Sequence, residues 1–199
     1  MDQSFREPRT QIDPRQRRGV GSVVAILATL LSWAALAFLV ALPGARAEVT
    51  PKDVQVMLKV VGFLNPPFRG KVPVAIVFDA GNEESKKDAD TLKGLLDAAQ
   101  NGPVALSAKL AAPAELATLD TKVVLVMVGL APSAIDVIFA AVQGRRILTI
   151  STDPACPKAG KCVVSVRTNP KVEILFSDSA AQGSGIEFQP IFRMMMTRV

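Results

Sequence analysis

Polar and apolar positions divide this 199-residue chain into a leader and a series of alternating elements. Residues 1–18 are polar and carry five arginines, residues 19–42 hold no charge at all, and from residue 48 onward short apolar runs alternate with helical periodicities. Val54, Met57, Leu58 and Val61 recur at helical spacing after Pro51, and Pro66-Pro67 stops that helix. Residues 72–78 (VPVAIVF) are a β-branched run that reads as a buried strand despite Pro73. Asn82 predicts the cap of a second helix, with Glu83 and Glu84 at the positive end of its dipole and Leu92, Leu95, Leu96 and Ala99 along one apolar face. A strand is predicted over 104–110 and a short helix over 113–119. Residues 122–128 (KVVLVMV) read as a strand apolar on both faces, as a central parallel strand requires. A helix over 131–142, with Pro132 in its first turn and Gly144 closing it, leads to a strand over 147–150.

Strand and helix alternate from Val72 to Ile150, which predicts an α/β fold: a single domain with an open, mostly parallel sheet flanked by helices. Strand candidates over 162–167 and 172–176 flank the turn Thr168-Asn169-Pro170-Lys171, so a C-terminal hairpin should finish the sheet. Residues 177–182 read as a short helix or turn. Residues 186–196 are apolar and Met-rich; core packing of a terminal helix is the reading preferred for them over an adaptable partner surface built from Phe188, Ile191, Phe192 and Met194 to Met196.

The leader changes what the composition means. Pro43-Gly44 breaks the apolar run and Ala45-Arg46-Ala47 offers the small residues of a signal-peptidase site, which predicts a signal peptide over 1–47 and cleavage before Glu48. An uncleaved anchor is the alternative, since about 20 apolar residues suffice to span a bilayer. Arg17-Arg18 is followed by Gly19-Val20-Gly21 rather than by a bulky apolar pair, so general secretion is preferred to the twin-arginine route. Either route places residues 48–199 in the periplasm, with no membrane insertion after cleavage. That domain holds 17 of the 23 basic and 15 of the 18 acidic side chains, a net charge of only +2, so the basic character of the whole chain is no sign of nucleic-acid binding.

Histidine is absent from the sequence, and Trp33 in the leader is its only tryptophan. Triads built on imidazole, imidazole metal ligands and an ordinary neutral-pH proton shuttle are thereby excluded, and no enzyme activity or cofactor is expected. Gly160-Lys161 is followed by Cys162 where a phosphate-binding loop needs Ser or Thr. Gly183-Ser184-Gly185 has the spacing of a tight turn and not of a nucleophile elbow. Glu83, Glu84, Asp88 and Asp90 are interleaved with Lys86 and Lys87, as on a solvated helix face.

Cys156 and Cys162 lie in a Pro/Gly/Lys-rich loop with five residues between them. In an oxidising compartment such a pair can close a small ring that pins the start of the hairpin, worth about 2 to 3 kcal/mol. A redox-active pair is less favoured, because Cys-x-x-Cys is the usual catalytic spacing, and two thiols alone leave a metal half coordinated. Asp79, Gly81 and Asn82 after one predicted strand, Gly129 after another and Asp153 after a third define a candidate ligand-binding rim, since open α/β sheets bind ligands at the C-terminal ends of their strands, while the same residues equally suit ordinary strand-to-helix turns.

Residues 148–153 (LTISTD), the cysteine loop, Val163 to Val166, the strand beginning Lys171-Val172-Glu173-Ile174, Ala180-Ala181 and Gly185-Ile186-Glu187-Phe188 resemble the C-terminal half of the YfiR/HmsC family. The helix over 54–64, its aromatic-and-proline turn and the strand over 72–78 resemble the opening of the same family. Departures are a turn without tryptophan, a single cysteine pair, and the tail Phe192-Arg193-Met194-Met195-Met196 in place of a leucine-rich end. The resemblance implies a non-enzymatic periplasmic regulator that binds the sensing domain of an inner-membrane diguanylate cyclase and represses it, affecting cyclic-di-GMP signalling and biofilm formation, with a homodimer as one expected state. Two readings compete with it: a single-lobe periplasmic solute-binding protein of a transport system, and a thiol-redox enzyme.

Overall fold

The computed structural model describes residues 49–99 and 104–199. The chain divides into two units, Met1–Arg46 and Ala47–Val199, and all described residues belong to the second. The signal peptide and cleavage site expected from the sequence therefore lie outside the described residues.

Helix α1, Pro51–Gly62, starts at a capping box: the Thr50 hydroxyl accepts the Asp53 N–H and the Asp53 carboxylate accepts the Thr50 N–H at 2.8 Å. Such a cap stabilises a helix by about 1 kcal/mol. Val54, Met57, Val60 and Val61 form its buried face. The chain then enters β1, Lys71–Val77, and returns through α2, Glu83–Ala98, to β2, Ala105–Ala111. A single 3-10 turn, Pro113–Ala117, carries it over β1 to β3, Val123–Val126. Helix α3, Pro132–Val142, leads to β4, Leu148–Ser151; a short helix α4, Ala155–Lys158, leads to β5, Val164–Arg167. Strand β6, Glu173–Phe176, helices α5, Asp178–Ser184, and α6, Pro190–Arg193, and strand β7, Thr197–Arg198, complete the order.

Among the described residues seven strands form one sheet in the order β2-β1-β3-β4-β5-β6-β7. Strands β2 to β5 are parallel, β6 pairs antiparallel with β5, and β7 runs parallel to β6. The expected open α/β sheet and its C-terminal hairpin are both present, with Val164 opposite Phe176 and Arg167 opposite Glu173.

Alternation along the central strands sorts side chains into two cores, because successive strand residues point to opposite faces. Val74, Ile76, Val123, Leu125, Leu148 and Ile150 face α1, α2 and the C-terminal segment. Ala75, Val77, Val124 and Val126 face a smaller core closed by Leu116, Ile138, Val142, Cys156 and Cys162. Two buried hydroxyls on this second face are satisfied locally: Thr149 accepts the Val163 N–H at 2.8 Å, and Ser151 donates to the Val126 carbonyl at 3.2 Å.

Several elements differ from the sequence reading. The strand expected over 122–128 is confined to Val123–Val126, although the Lys122 and Met127 N–H groups still bond to the Pro73 and Val77 carbonyls. The hairpin does not end the sheet, since β7 lies beyond it. The terminal segment makes no long helix: α6 has four residues, because Pro190 starts it late and the chain then straightens into β7. Within that segment Phe188, Phe192 and Met196 are buried, whereas Ile191, Met194 and Met195 are exposed.

Candidate functional site

At the C-terminal ends of β3 and β4, a pocket of about 300 Å³ opens between α3 and the cysteine loop. Its floor is the strand ends at Val126 and Ser151; one wall is Pro132, Ile135 and Asp136 of α3, and the other is Ala155, Cys156, Ala159 and Lys161. A disulfide and backbone hydrogen bonds brace the loop. Cys156 and Cys162 are joined in a disulfide with their Cα atoms 5.2 Å apart, and the Cys162 N–H bonds back to the Cys156 carbonyl. At the start of the ring the chain makes the helical turn α4, where the sequence predicts a loop because Pro154 and Pro157 disguise the turn. Gly160, at φ +69°, permits the reversal that brings Cys162 back.

Lys161 ties the two walls together. Its Nζ lies 3.0 Å from the Asp136 carboxylate and 4.6 Å from the centroid of the Phe139 ring, both on α3. Asp153 holds the strand-to-helix turn: its Oδ1 accepts the Ala155 N–H at 2.9 Å, and its own N–H donates to the Ser151 hydroxyl at 3.0 Å.

The five rim residues expected from the sequence divide into two groups. Gly129 and Asp153 line this pocket together. Asp79, Gly81 and Asn82 sit in the β1–α2 turn and do not line it. There the Asp79 carboxylate accepts the Gly81 N–H at 2.9 Å, and Asn82 caps α2 by accepting from Glu84 and Ser85 at 3.0 and 3.2 Å. Ile135, Asp136 and Lys161 were not expected at a site. The signal that could have found Ile135 and Asp136 is their spacing with Pro132 on one helical face directly after the strand predicted over 122–128.

The other sequence features take structural places. Ser184 is buried and its hydroxyl donates to the Ala180 carbonyl at 2.8 Å, while Gly185, at φ +70°, closes α5. Among the described residues no group of three or more His, Cys, Asp or Glu is placed to hold a metal, and no helix is long and apolar enough to cross a membrane.

The segments on which the family resemblance rests meet in space. Leu64, in the turn after α1, forms an antiparallel bridge with Phe188; the Asn65 N–H donates to the Glu187 carbonyl at 2.9 Å, and the Gln189 N–H to the Phe63 carbonyl at 2.9 Å. Phe63 stacks on Phe192 with centroids 4.6 Å apart. Fold and site together define a single-domain α/β protein with a disulfide-closed loop beside a ligand-sized pocket. No family model matches the chain, and no curated protein matches it.

Proposed function

We propose that this protein is a non-enzymatic periplasmic regulator of the YfiR/HmsC type, which binds the periplasmic sensing domain of an inner-membrane diguanylate cyclase, represses it, and so lowers cyclic-di-GMP signalling and biofilm formation. The observation that carries this reading is the bridge between Leu64 and Phe188. It joins the opening and closing motifs of the resemblance into one ordered patch, with the disulfide loop leading into the hairpin as the resemblance requires. Beside that patch Ile191, Met194 and Met195 stand exposed at 55, 77 and 67%, an apolar and adaptable surface for a protein partner.

The test is affinity capture of the tagged protein from its native envelope, followed by mass spectrometry. Recovery of an inner-membrane protein with a cytoplasmic GGDEF-type domain, lost when Met194→Asp and Met195→Asp are combined, supports the reading. Recovery of transporter permease subunits instead overturns it in favour of a solute-binding lobe.

A further inference from the structure

We propose that the pocket at the C-terminal ends of β3 and β4 binds a small organic cation: an apolar body of roughly ten non-hydrogen atoms bearing one ammonium group. The size follows from a volume of about 300 Å³, at the lower end of ordinary ligand pockets. Charge follows from bookkeeping on the lining. Asp136 and Lys161 neutralise each other at 3.0 Å. Asp153 spends one carboxylate oxygen on the Ala155 N–H, and its second oxygen has no partner among the described residues. One negative charge is thus left at the edge of a largely apolar lining, where a cation would be held more strongly than in water.

The side-chain hydroxyl of the lining is already committed. The Ser151 hydroxyl is engaged twice, by the Val126 carbonyl and the Asp153 N–H. From the start of α3 the pocket receives the ring of Pro132, which has no N–H, and neither Ser133 nor Ala134 lines it. Both walls are held before any ligand arrives, one by the disulfide and both by the Lys161–Asp136 pair, so little ordering entropy opposes binding.

Phenethylamine, 2-phenylethanol and 3-phenylpropionate share one apolar body and differ in charge. Titration of each into the purified full chain, followed by calorimetry and ligand-observed NMR, tests the site. The amine is expected to saturate and to bind at least about tenfold more tightly than the neutral and anionic probes, a preference that Asp153→Asn removes. Ile135→Trp and, from the opposite wall, Ala159→Phe fill the pocket and are expected to abolish binding while unfolding stays cooperative. Absence of saturable amine binding, equal binding of all three probes, or binding unchanged in the Asp153→Asn or Ala159→Phe variants overturns the proposal. Cyclase capture is a separate measurement, so failure of either reading leaves the other standing.

Discussion

Arg145 and Arg146 are neighbours in the turn between α3 and β4, yet they anchor opposite faces of the sheet. The Arg145 guanidinium donates to the carbonyls of Leu116, Ala141 and Leu119 at 2.7, 3.0 and 3.0 Å, tying the 3-10 turn to α3 over the smaller core. Arg146 reaches the other way, donating to the Pro66 carbonyl at 2.6 Å and lying 5.7 Å from the Phe68 ring centroid.

Truncating Arg145 should therefore loosen the only segment that connects β2 to β3. Arg145→Ala is expected to cost about 2 kcal/mol, because three carbonyls lose a charged donor. Urea unfolding reads this as a lower midpoint, and hydrogen exchange should rise first around Leu116.

Arg146 has φ +54°, a conformation that costs an L-residue about 1 kcal/mol and glycine almost nothing. Arg146→Ala loses the Pro66 bond and keeps the strain, whereas Arg146→Gly loses the bond and relieves it. Thermal unfolding should rank Arg146→Gly as the more stable variant by about 1 kcal/mol; equal stabilities would refute the strain argument.

Opening the Cys156–Cys162 ring removes a short-loop constraint from the unfolded chain. The double variant Cys156→Ala, Cys162→Ala is expected to lose about 2 kcal/mol and still fold, since the ring spans few residues. Chemical denaturation of the variant beside the oxidised protein measures it, and complete loss of the folded state would contradict the modest contribution.

Asn82→Ala takes away a cap accepting two N–H groups and should cost about 1 kcal/mol, while Asn82→Asp should be close to neutral. Helical circular dichroism through a thermal scan separates the two.

Phe192 and Met194 lie two residues apart and answer to different rules. Phe192 is 2% exposed and contacts the rings of Phe63 and Phe188, so Phe192→Ala is expected to cost about 3 to 5 kcal/mol. Met194 is exposed, and Met194→Ala should stay within about 0.5 kcal/mol while weakening partner capture.

The central sheet was legible because its pattern is local. Four consecutive buried residues in β3 announce a strand covered on both faces, and Asn82 announces its helix by chemistry confined to four residues. The cysteine pair was legible for the same reason. What escaped depends on contacts distant in sequence. The two residues of β7 carry no strand signal, and only their pairing with Leu175 and Phe176 makes them one. The Met run splits between core and surface because Met196 meets the large core while Met194 and Met195 turn away, which composition alone cannot assign. The pocket was half legible: strand ends place Gly129 and Asp153 on one rim, but the wall made by Lys161 exists only because the disulfide folds its loop back toward α3.

The brevity of β7 bears on how the sheet ends. A sheet can recruit foreign backbone only at its two edges, and such recruitment is how strands begin to aggregate. At one edge β2 places the exposed, charged Lys109 in its path; at the other, a two-residue strand bearing Arg198 covers part of β6 while offering almost no template of its own. The C-terminal segment thus acts as a stopper, leaving little unpaired backbone on which a foreign strand could add to the sheet of the described residues.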